Sequence, residues 1–343
     1  MSLNADNTST STRTRKATTS QRKEHSDITN VICNDLDAAA KLILENSFAI
    51  LRVNDETHKA LTNSWIAAKY FLTSKVDQSP RQEATTKSKY RRIRNGALMG
   101  YNRPSETKVL FRSMFVNGEP DPAQPWGDDE AFKVSSSLLG QHLHSILLGC
   151  LEEMMKLVKE RNYTEAKGRQ PDRHASAKKK RKLDHSNSIN GLDFDFDSTP
   201  CPLDYFLYHN QSDGVNCSEH VDRGVLICIS LTNVAGLEVF SNDAEDGNWS
   251  CPEHIFINEQ LYQEREVGCS NMLCILSGDQ LKKVLQGDDN MTTQFRGLNA
   301  CIHRVKRKLS AARLSISYEL RASVRENEKK LTRISQQHIS SIV

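Results

Sequence analysis

His220 to Leu231 reads HVDRGVLICISL, and no other stretch says as much about the architecture of this chain. Its second part, Gly224 to Leu231, is apolar, rich in β-branched residues and free of helix-like gaps, which predicts a buried strand. Residues two apart in a strand point to the same face, so His220 and Asp222 can reach one metal ion. Two imidazoles and one carboxylate are a ligand set that binds one face of a redox-active iron and leaves the other positions open. The stretch therefore supplies two of three expected ligands.

The remaining parts of such a site follow later in the chain. His303-Arg304-Val305 adds a second imidazole 83 residues after His220, and Arg313-Leu314-Ser315 comes next. Arg313 and Ser315 share a face if this segment is a strand. A guanidinium fork beside a hydroxyl suits a carboxylate better than a lysine would. An HxD pair alone is weak evidence, but HxD followed by a distant HRV and then RxS is a far more specific pattern.

In this order the motifs resemble those of the iron(II)/2-oxoglutarate-dependent dioxygenases, in particular the branch that includes isopenicillin N synthase. Leu203 to Tyr208 resembles the family strand whose last tyrosine touches 2-oxoglutarate. Gly236 to Val239 resembles the family's Gly-Leu-Gln-Val hairpin, and Gly278-Asp279 matches the turn before the distal histidine. The chain departs from the family pattern at Phe206 and at the two residues after Tyr208, which are not prolines.

The resemblance implies a reaction and a role for each site residue. The iron(II) ligands would be His220, Asp222 and His303. The contacts to 2-oxoglutarate would be Arg313, Ser315 and Tyr208. In the family, 2-oxoglutarate and O2 are converted to succinate and CO2 while a substrate is oxidised, and ascorbate can serve as reductant. Halogenating relatives lack the carboxylate ligand, so its presence favours hydroxylation, desaturation or ring closure.

The resemblance also implies an α+β fold, a double-stranded β-helix (jelly roll) core buttressed by N-terminal helices. Composition and periodicity divide the chain into five parts. These are a disordered basic tail (1–30), an N-terminal helical region with the first sheet strands (31–164), a basic low-complexity insertion (165–199), the jelly-roll catalytic domain (200–322) and a C-terminal helix (323–343). Two polar stretches, Ser241 to Glu266 and Gln286 to Asn299, are predicted to be loops at the mouth of the site, either a substrate lid or surface insertions.

The distribution of charge bears on partners and localisation. The net charge is +3, but residues 1–30 carry +2 and residues 165–185 carry +5, so subtracting these seven leaves −4 for the rest. A mildly acidic folded part argues against nucleic acid in the catalytic core. No apolar run reaches membrane-span length and no apolar signal core is present, which predicts an intracellular protein in the nucleus or cytoplasm. A basic run resembles a nuclear localisation signal for an import receptor; it consists of Lys178, Lys179, Lys180, Arg181 and Lys182. Such runs are also common in solvated linkers.

Three functions remain open from the sequence. The leading prediction is an oxygenase that acts on a small organic molecule, with Tyr101, Arg103, Arg112 and Phe240 as candidate pocket residues chosen by position. The second is a catalytically silent binding or regulatory protein that retains the fold, which the departures from the family pattern allow. The third is an iron oxidase that does not use 2-oxoglutarate.

Overall fold

A computed structural model of the chain describes residues 28–76, 91–94, 97–168, 193–210, 213–241, 248–260, 269–286, 299–307 and 311–325. Residues 1–27 of the predicted tail, the nuclear signal at 178–182 and residues 326–343 of the predicted C-terminal helix lie outside the described residues. Among the described helices, none combines the length and apolar character that crossing a membrane requires.

The described elements are sixteen strands, five α-helices and one short 3-10 helix, Ile28–Val31. In chain order the strands are β1 (Ile32–Cys33), β2 (Phe48–Arg52), β3 (Arg91–Arg94), β4 (Ala97–Ser105), β5 (Lys108–Val116), β6 (Glu119–Pro120), β7 (Asp193–Asp195), β8 (Cys201–Tyr208), β9 (Gly214–His220), β10 (Leu226–Thr232), β11 (Leu237–Ser241), β12 (Asn248–Ser250), β13 (Cys269–Ser277), β14 (His303–Arg307), β15 (Arg313–Leu320) and β16 (Ser323–Arg325). The α-helices are α1 (Leu36–Asn46), α2 (Asp55–Val76), α3 (Glu130–Gly168), α4 (Glu253–Gln260) and α5 (Leu281–Gln286).

Two sheets form the jelly roll. Within the described residues, the larger sheet has ten strands in the order β1-β2-β13-β10-β15-β8-β5-β4-β3, with β6 beside β5. The smaller sheet has four, in the order β12-β11-β14-β9. All pairings in these two sheets except β1 with β2 are antiparallel. Because strands distant in sequence are neighbours, β14 and β15 bring the HRV and RxS motifs beside the segment that contains His220 and Asp222.

Strand β10 shows how the sequence builds two cores. All seven of its residues are buried, as the continuous apolar run predicts. Leu226 and Cys228 face the helices and join the larger core, while Ile227, Ile229 and Leu231 face the smaller sheet and join the second core. The larger sheet therefore has helices on one face and the catalytic half of the jelly roll on the other.

Helices α1, α2 and α3 cover the outer face of the larger sheet. Asp35 begins α1 as an N-cap, with its side chain accepting the Ala38 N–H at 2.8 Å. Aromatic side chains fill the space beneath α2 and α3, where the rings of Phe71 and Phe132 stack at 4.7 Å. The α+β class, the jelly-roll core and the N-terminal helices that support it are thus confirmed.

Four features differ from the sequence prediction. Helix α3 continues to Gly168, and the end of the predicted insertion contains β7 and is held by Phe194 and Phe196, which contact the larger core. Ser323–Arg325, the predicted start of a C-terminal helix, instead pairs with β7 as a strand. The predicted loop from Ser241 to Glu266 contains β12 and α4 in its described part, so it is not a simple loop.

Candidate metal centre

The end of β9 and the start of β14 bring the two histidines together. His220 and His303 are direct partners across these antiparallel strands, and their ring centroids lie 4.2 Å apart. Asp222 follows just after β9, with Oδ1 at 3.7 Å from His220 Nε2 and Oδ2 at 3.4 Å from His303 Nε2. One ligand atom from each of the three residues lies within 4.8 Å of the others. These separations suit donors that share one ion about 2.1 Å from each.

Backbone carbonyls orient both imidazoles. His220 Nδ1 lies 2.7 Å from the Ser218 carbonyl oxygen, and His303 Nδ1 lies 3.1 Å from the Cys301 carbonyl oxygen. A carbonyl can only accept, so each Nδ1 carries a proton, and Nε2 is the ring nitrogen that faces Asp222. This arrangement fixes the tautomer that a metal ligand needs.

A close crossing of two backbone segments holds Asp222 and Cys301, the residue two positions before His303. The Asp279 N–H donates to the Asp222 carbonyl at 2.9 Å, and the Gly278 N–H donates to the Val225 carbonyl at 3.0 Å. Ser277, the residue before, accepts the Cys301 N–H at 2.9 Å. The Gly278-Asp279 turn therefore fixes the segments that carry two of the three candidate ligands.

The charges of the centre favour an ionised carboxylate. Burial tends to raise the pKa of Asp222, but its hydrogen bond with His303 and the two imidazoles lower that pKa below its ordinary value. The contact with the Cys217 thiol raises the pKa of His220 to about 9, and the same contact lowers the pKa of Cys217. A metal ion that binds Nε2 of His220 at neutral pH would therefore displace a proton.

The candidate co-substrate residues line the same cavity as the histidines and Asp222. The cavity has a volume of about 130 Å³, or about 690 Å³ when the open space at its mouth is included. Arg313 and Ser315 reach it from alternate positions of β15, and Tyr208 is the strand partner of Arg313. All three side chains are buried. The structure thus brings the six predicted iron and 2-oxoglutarate residues to one cavity.

The guanidinium of Arg313 is partly satisfied by the protein. Its Nε donates to the Val234 carbonyl at 3.2 Å, and Nη2 donates to Glu253 Oε1 at 2.7 Å. Its Nη1 is buried and has no hydrogen-bond partner among the described residues. A buried donor without a partner is rare in native proteins, and here it fits an incoming carboxylate.

Comparisons with known proteins agree with this geometry. No protein-family model matches the sequence, and no curated protein matches it either. Among solved structures, the rice dioxygenase for auxin oxidation (DAO) is similar with a TM-score of 0.51 and 14% identity, over 83% of this chain and 76% of that one. A full-length Neurospora crassa protein, solved in complex with alpha-KG, gives a TM-score of 0.51 and 15% identity, over 84% and 79%. The chain has the fold of the 2-oxoglutarate-dependent oxygenases.

Of the four pocket residues predicted by position, one lines the cavity of this oxygenase fold. Arg112 does so, and it forms a bidentate ion pair with Asp204 at 2.7 and 2.5 Å. Phe240 instead packs on Trp249, because strand alternation sends its neighbour Val239 inward. Tyr101 packs against the helix-side core, and Arg103 is exposed in the β4–β5 hairpin.

Sequence reasoning missed four charged residues of the cavity and its surroundings. Lys108, Asp204 and Glu319 line the cavity, and Glu253 contacts Arg313 from behind. Glu319 lies at an alternate position from Arg313 in β15, so the strand period could have found it. Glu253 gave no signal, since it precedes no motif and falls in a stretch predicted to be a loop.

Proposed function

We propose that this chain is a non-haem iron(II) and 2-oxoglutarate-dependent dioxygenase that oxidises a small organic substrate and releases succinate and CO2. The observation that carries the proposal is that His220, Asp222 and His303 converge on the wall of a cavity that Arg313 also lines, and that the buried Nη1 of Arg313 has no hydrogen-bond partner among the described residues. The reaction is hydroxylation, desaturation or ring closure. The narrower placement near isopenicillin N synthase stays a prediction.

His220, Asp222 and His303 would hold the iron. Two neutral nitrogens and one carboxylate form the donor set of oxygenase iron sites with open positions. When bound, the iron supplies the activation of O2. The protein holds the ligands ready, because the Ser218 and Cys301 carbonyls keep the Nδ1 protons away from the metal side.

Arg313, Ser315 and Tyr208 would hold 2-oxoglutarate. Nη1 of Arg313 can donate to the carboxylate far from the iron, with the Ser315 hydroxyl two residues along the same strand face. Burial raises the pKa of Tyr208, so its phenol keeps its proton.

The rest of the cavity suits a small, polar substrate. The cavity volume of about 130 Å³ leaves room only for small molecules. Ile227, Ile229 and Leu237 form an apolar wall that limits water near the candidate iron position. The Arg112–Asp204 pair on the neighbouring strands β5 and β8 offers a fixed polar surface.

The test is an anaerobic titration of the purified protein with iron(II) and then with 2-oxoglutarate, followed by visible absorption. Binding of both gives a weak charge-transfer band. We expect this band in the wild-type protein, its loss in His220→Ala and its weakening in Arg313→Ala. Succinate release in a metabolite screen would then identify substrates.

Two matched variants control for general effects of substitution. His142→Ala removes a half-buried helical imidazole whose ring nitrogen contacts Thr57, and Arg103→Ala removes an exposed arginine. Both should keep the wild-type band. Absence of the band in the folded wild-type protein would contradict the proposal and favour a binding role.

One observation supports a second candidate, an iron oxidase that does not use 2-oxoglutarate. Arg313 already has a carboxylate partner in Glu253, so part of its charge is used within the protein. Iron binding without any 2-oxoglutarate band would support this candidate over the first.

We also propose that residues 178–182 direct nuclear import, because five consecutive basic residues match the chemistry of import signals. Deletion of these five residues should shift a fluorescent fusion of the full chain toward the cytoplasm. An unchanged distribution would contradict the proposal.

A further inference from the structure

The arginine of the proposed co-substrate site is held by a carboxylate from inside the protein. Arg313 Nη2 lies 2.7 Å from Glu253 Oε1, and the two side chains are 1% and 0% exposed. Both charges are thus removed from water. In the protein interior an ion pair interacts much more strongly than at the surface. This pair is part of the wall behind the cavity.

Glu253 is fixed in place by its own neighbours. It is the first residue of α4, and its carboxylate accepts the Leu237 N–H at 3.1 Å and the Cys251 thiol at 3.4 Å. The guanidinium is equally confined, because a Cβ on Gly236 would lie only 3.1 Å from Arg313 Cδ. Neither partner has room to turn away, so the ion pair persists when a ligand enters.

The pair has two opposite consequences for a ligand carboxylate. Without Glu253, the empty cavity would contain an uncompensated buried charge, which is strongly destabilising. With Glu253, an entering carboxylate meets a guanidinium whose charge is already balanced, and it meets the negative charge of Glu253 close behind. Of the guanidinium nitrogens, only Nη1 is without a protein partner among the described residues, and the Ser315 hydroxyl lies on the same strand face. The protein gains a preformed site and loses part of the attraction for a second anion.

We propose that Glu253 is a specificity-determining residue that makes the site discriminate only weakly between 2-oxo acids with and without a second carboxylate. The inference rests on the proposed function. Glu253 reaches the site through Arg313, so it acts on the end of the co-substrate that is far from the metal. Its effect should therefore be visible as a ratio of affinities for two acids that share the same chelating end.

The experiment measures that ratio with 2-oxoglutarate and 2-oxopentanoate, which have equal chain lengths and differ only in the terminal carboxylate. Each acid is titrated anaerobically into the iron(II)-loaded full chain, and dissociation constants come from the charge-transfer band. We expect the wild-type protein to prefer 2-oxoglutarate by less than about tenfold, since a full charged hydrogen bond would give tenfold or more. In Glu253→Gln the preference should rise by at least about tenfold, because the charge of Arg313 is no longer opposed.

Glu238→Gln is the matched control. Glu238 lies on β11 and pairs with Arg304 and Lys306, away from Arg313. It should keep the wild-type ratio. The unfolding temperature of each variant is measured with and without 2-oxoglutarate, and Glu253→Gln should gain more from the ligand than the wild type does.

The outcomes separate this inference from the function on which it rests. A wild-type band with 2-oxoglutarate but an unchanged or smaller ratio in Glu253→Gln overturns the role of Glu253 and leaves the function intact. A wild-type protein that gives no band with either acid overturns both. If Glu253→Gln does not fold, the wild-type ratio decides, and a preference above about tenfold overturns the inference.

Discussion

Replacing Gly278 with alanine should damage the metal centre without touching any of its ligands. A Cβ at this position would lie 2.0 Å from the Gly224 carbonyl oxygen and 2.7 Å from its carbonyl carbon. A relaxed contact between carbon and oxygen needs about 3.3 Å, so the two backbone segments must separate by roughly 1.3 Å. That crossing supports Asp222 through the Asp279 N–H and supports Cys301 through Ser277.

The expected effect has two measurable parts. Forcing atoms into a packed region costs about 1–3 kcal/mol of unfolding free energy, and the backbone contact here places the variant near the upper end. Loss of an outer support of a metal site lowers metal affinity by about 10–100-fold. Urea denaturation of the metal-free protein measures the first, and anaerobic cobalt(II) titration by visible absorption measures the second.

Gly149→Ala is the matched control for Gly278→Ala. Its Cβ would meet only the flexible end of the Leu36 side chain at 2.9 Å, and alanine favours the helix α3 in which it lies. This variant should keep metal affinity and stability near wild type. If Gly278→Ala matched it in both measurements, the close crossing would not support the ligands and our reasoning would be wrong.

Three further predictions concern the core and the thiols. Tyr205→Phe should lower the urea unfolding free energy by about 1–3 kcal/mol, because Ser64 and Ser136 lose a buried hydrogen-bond partner; an unchanged urea midpoint would contradict this. Burial lowers the pKa of His144, so the unfolded state binds more protons below pH 6.5 and stability falls as the pH decreases. His144→Gln should make that decline shallower in thermal unfolding between about pH 7 and pH 5, and an equally steep decline would count against the role of His144. Iodoacetamide should modify Cys217 first, because the other eight cysteines are buried and because His220 lowers the pKa of Cys217. Peptide mass spectrometry measures the order of modification, and earlier modification of a buried cysteine would argue against the fold.

Tyr101, Arg103 and Phe240 show where sequence reasoning about the pocket failed. Tyr101 and Arg103 lie on β4, none of whose described residues lines the cavity, while Phe240 lies on β11, which does reach it. Strand alternation places each side chain on one of two faces, and a shift of one residue exchanges them. Phe240 lies outside because Val239 faces the second core. Arg112 was placed correctly, and its register partner Asp204 shows why, since both side chains point to the cavity from neighbouring strands.

The sequence by itself determined the local parts of this protein. The apolar run after Asp222 specifies a buried strand, Asp35 specifies the start of α1, and the ordered HxD, HRV and RxS motifs specify which side chains to bring together. Each of these depends on residues within a few positions of one another, so the hydrophobic period and the side-chain types can be read directly from the sequence.

Only the tertiary structure decided what surrounds those side chains. Glu253 reaches Arg313 from 60 residues away, and Gly278 meets Gly224 from 54 residues away. Such contacts depend on how sheets and turns pack, and a carboxylate or a glycine carries no local mark of its distant partner. The candidate ligands were therefore predictable, whereas the charge balance behind Arg313 and the backbone crossing beneath Asp222 were not.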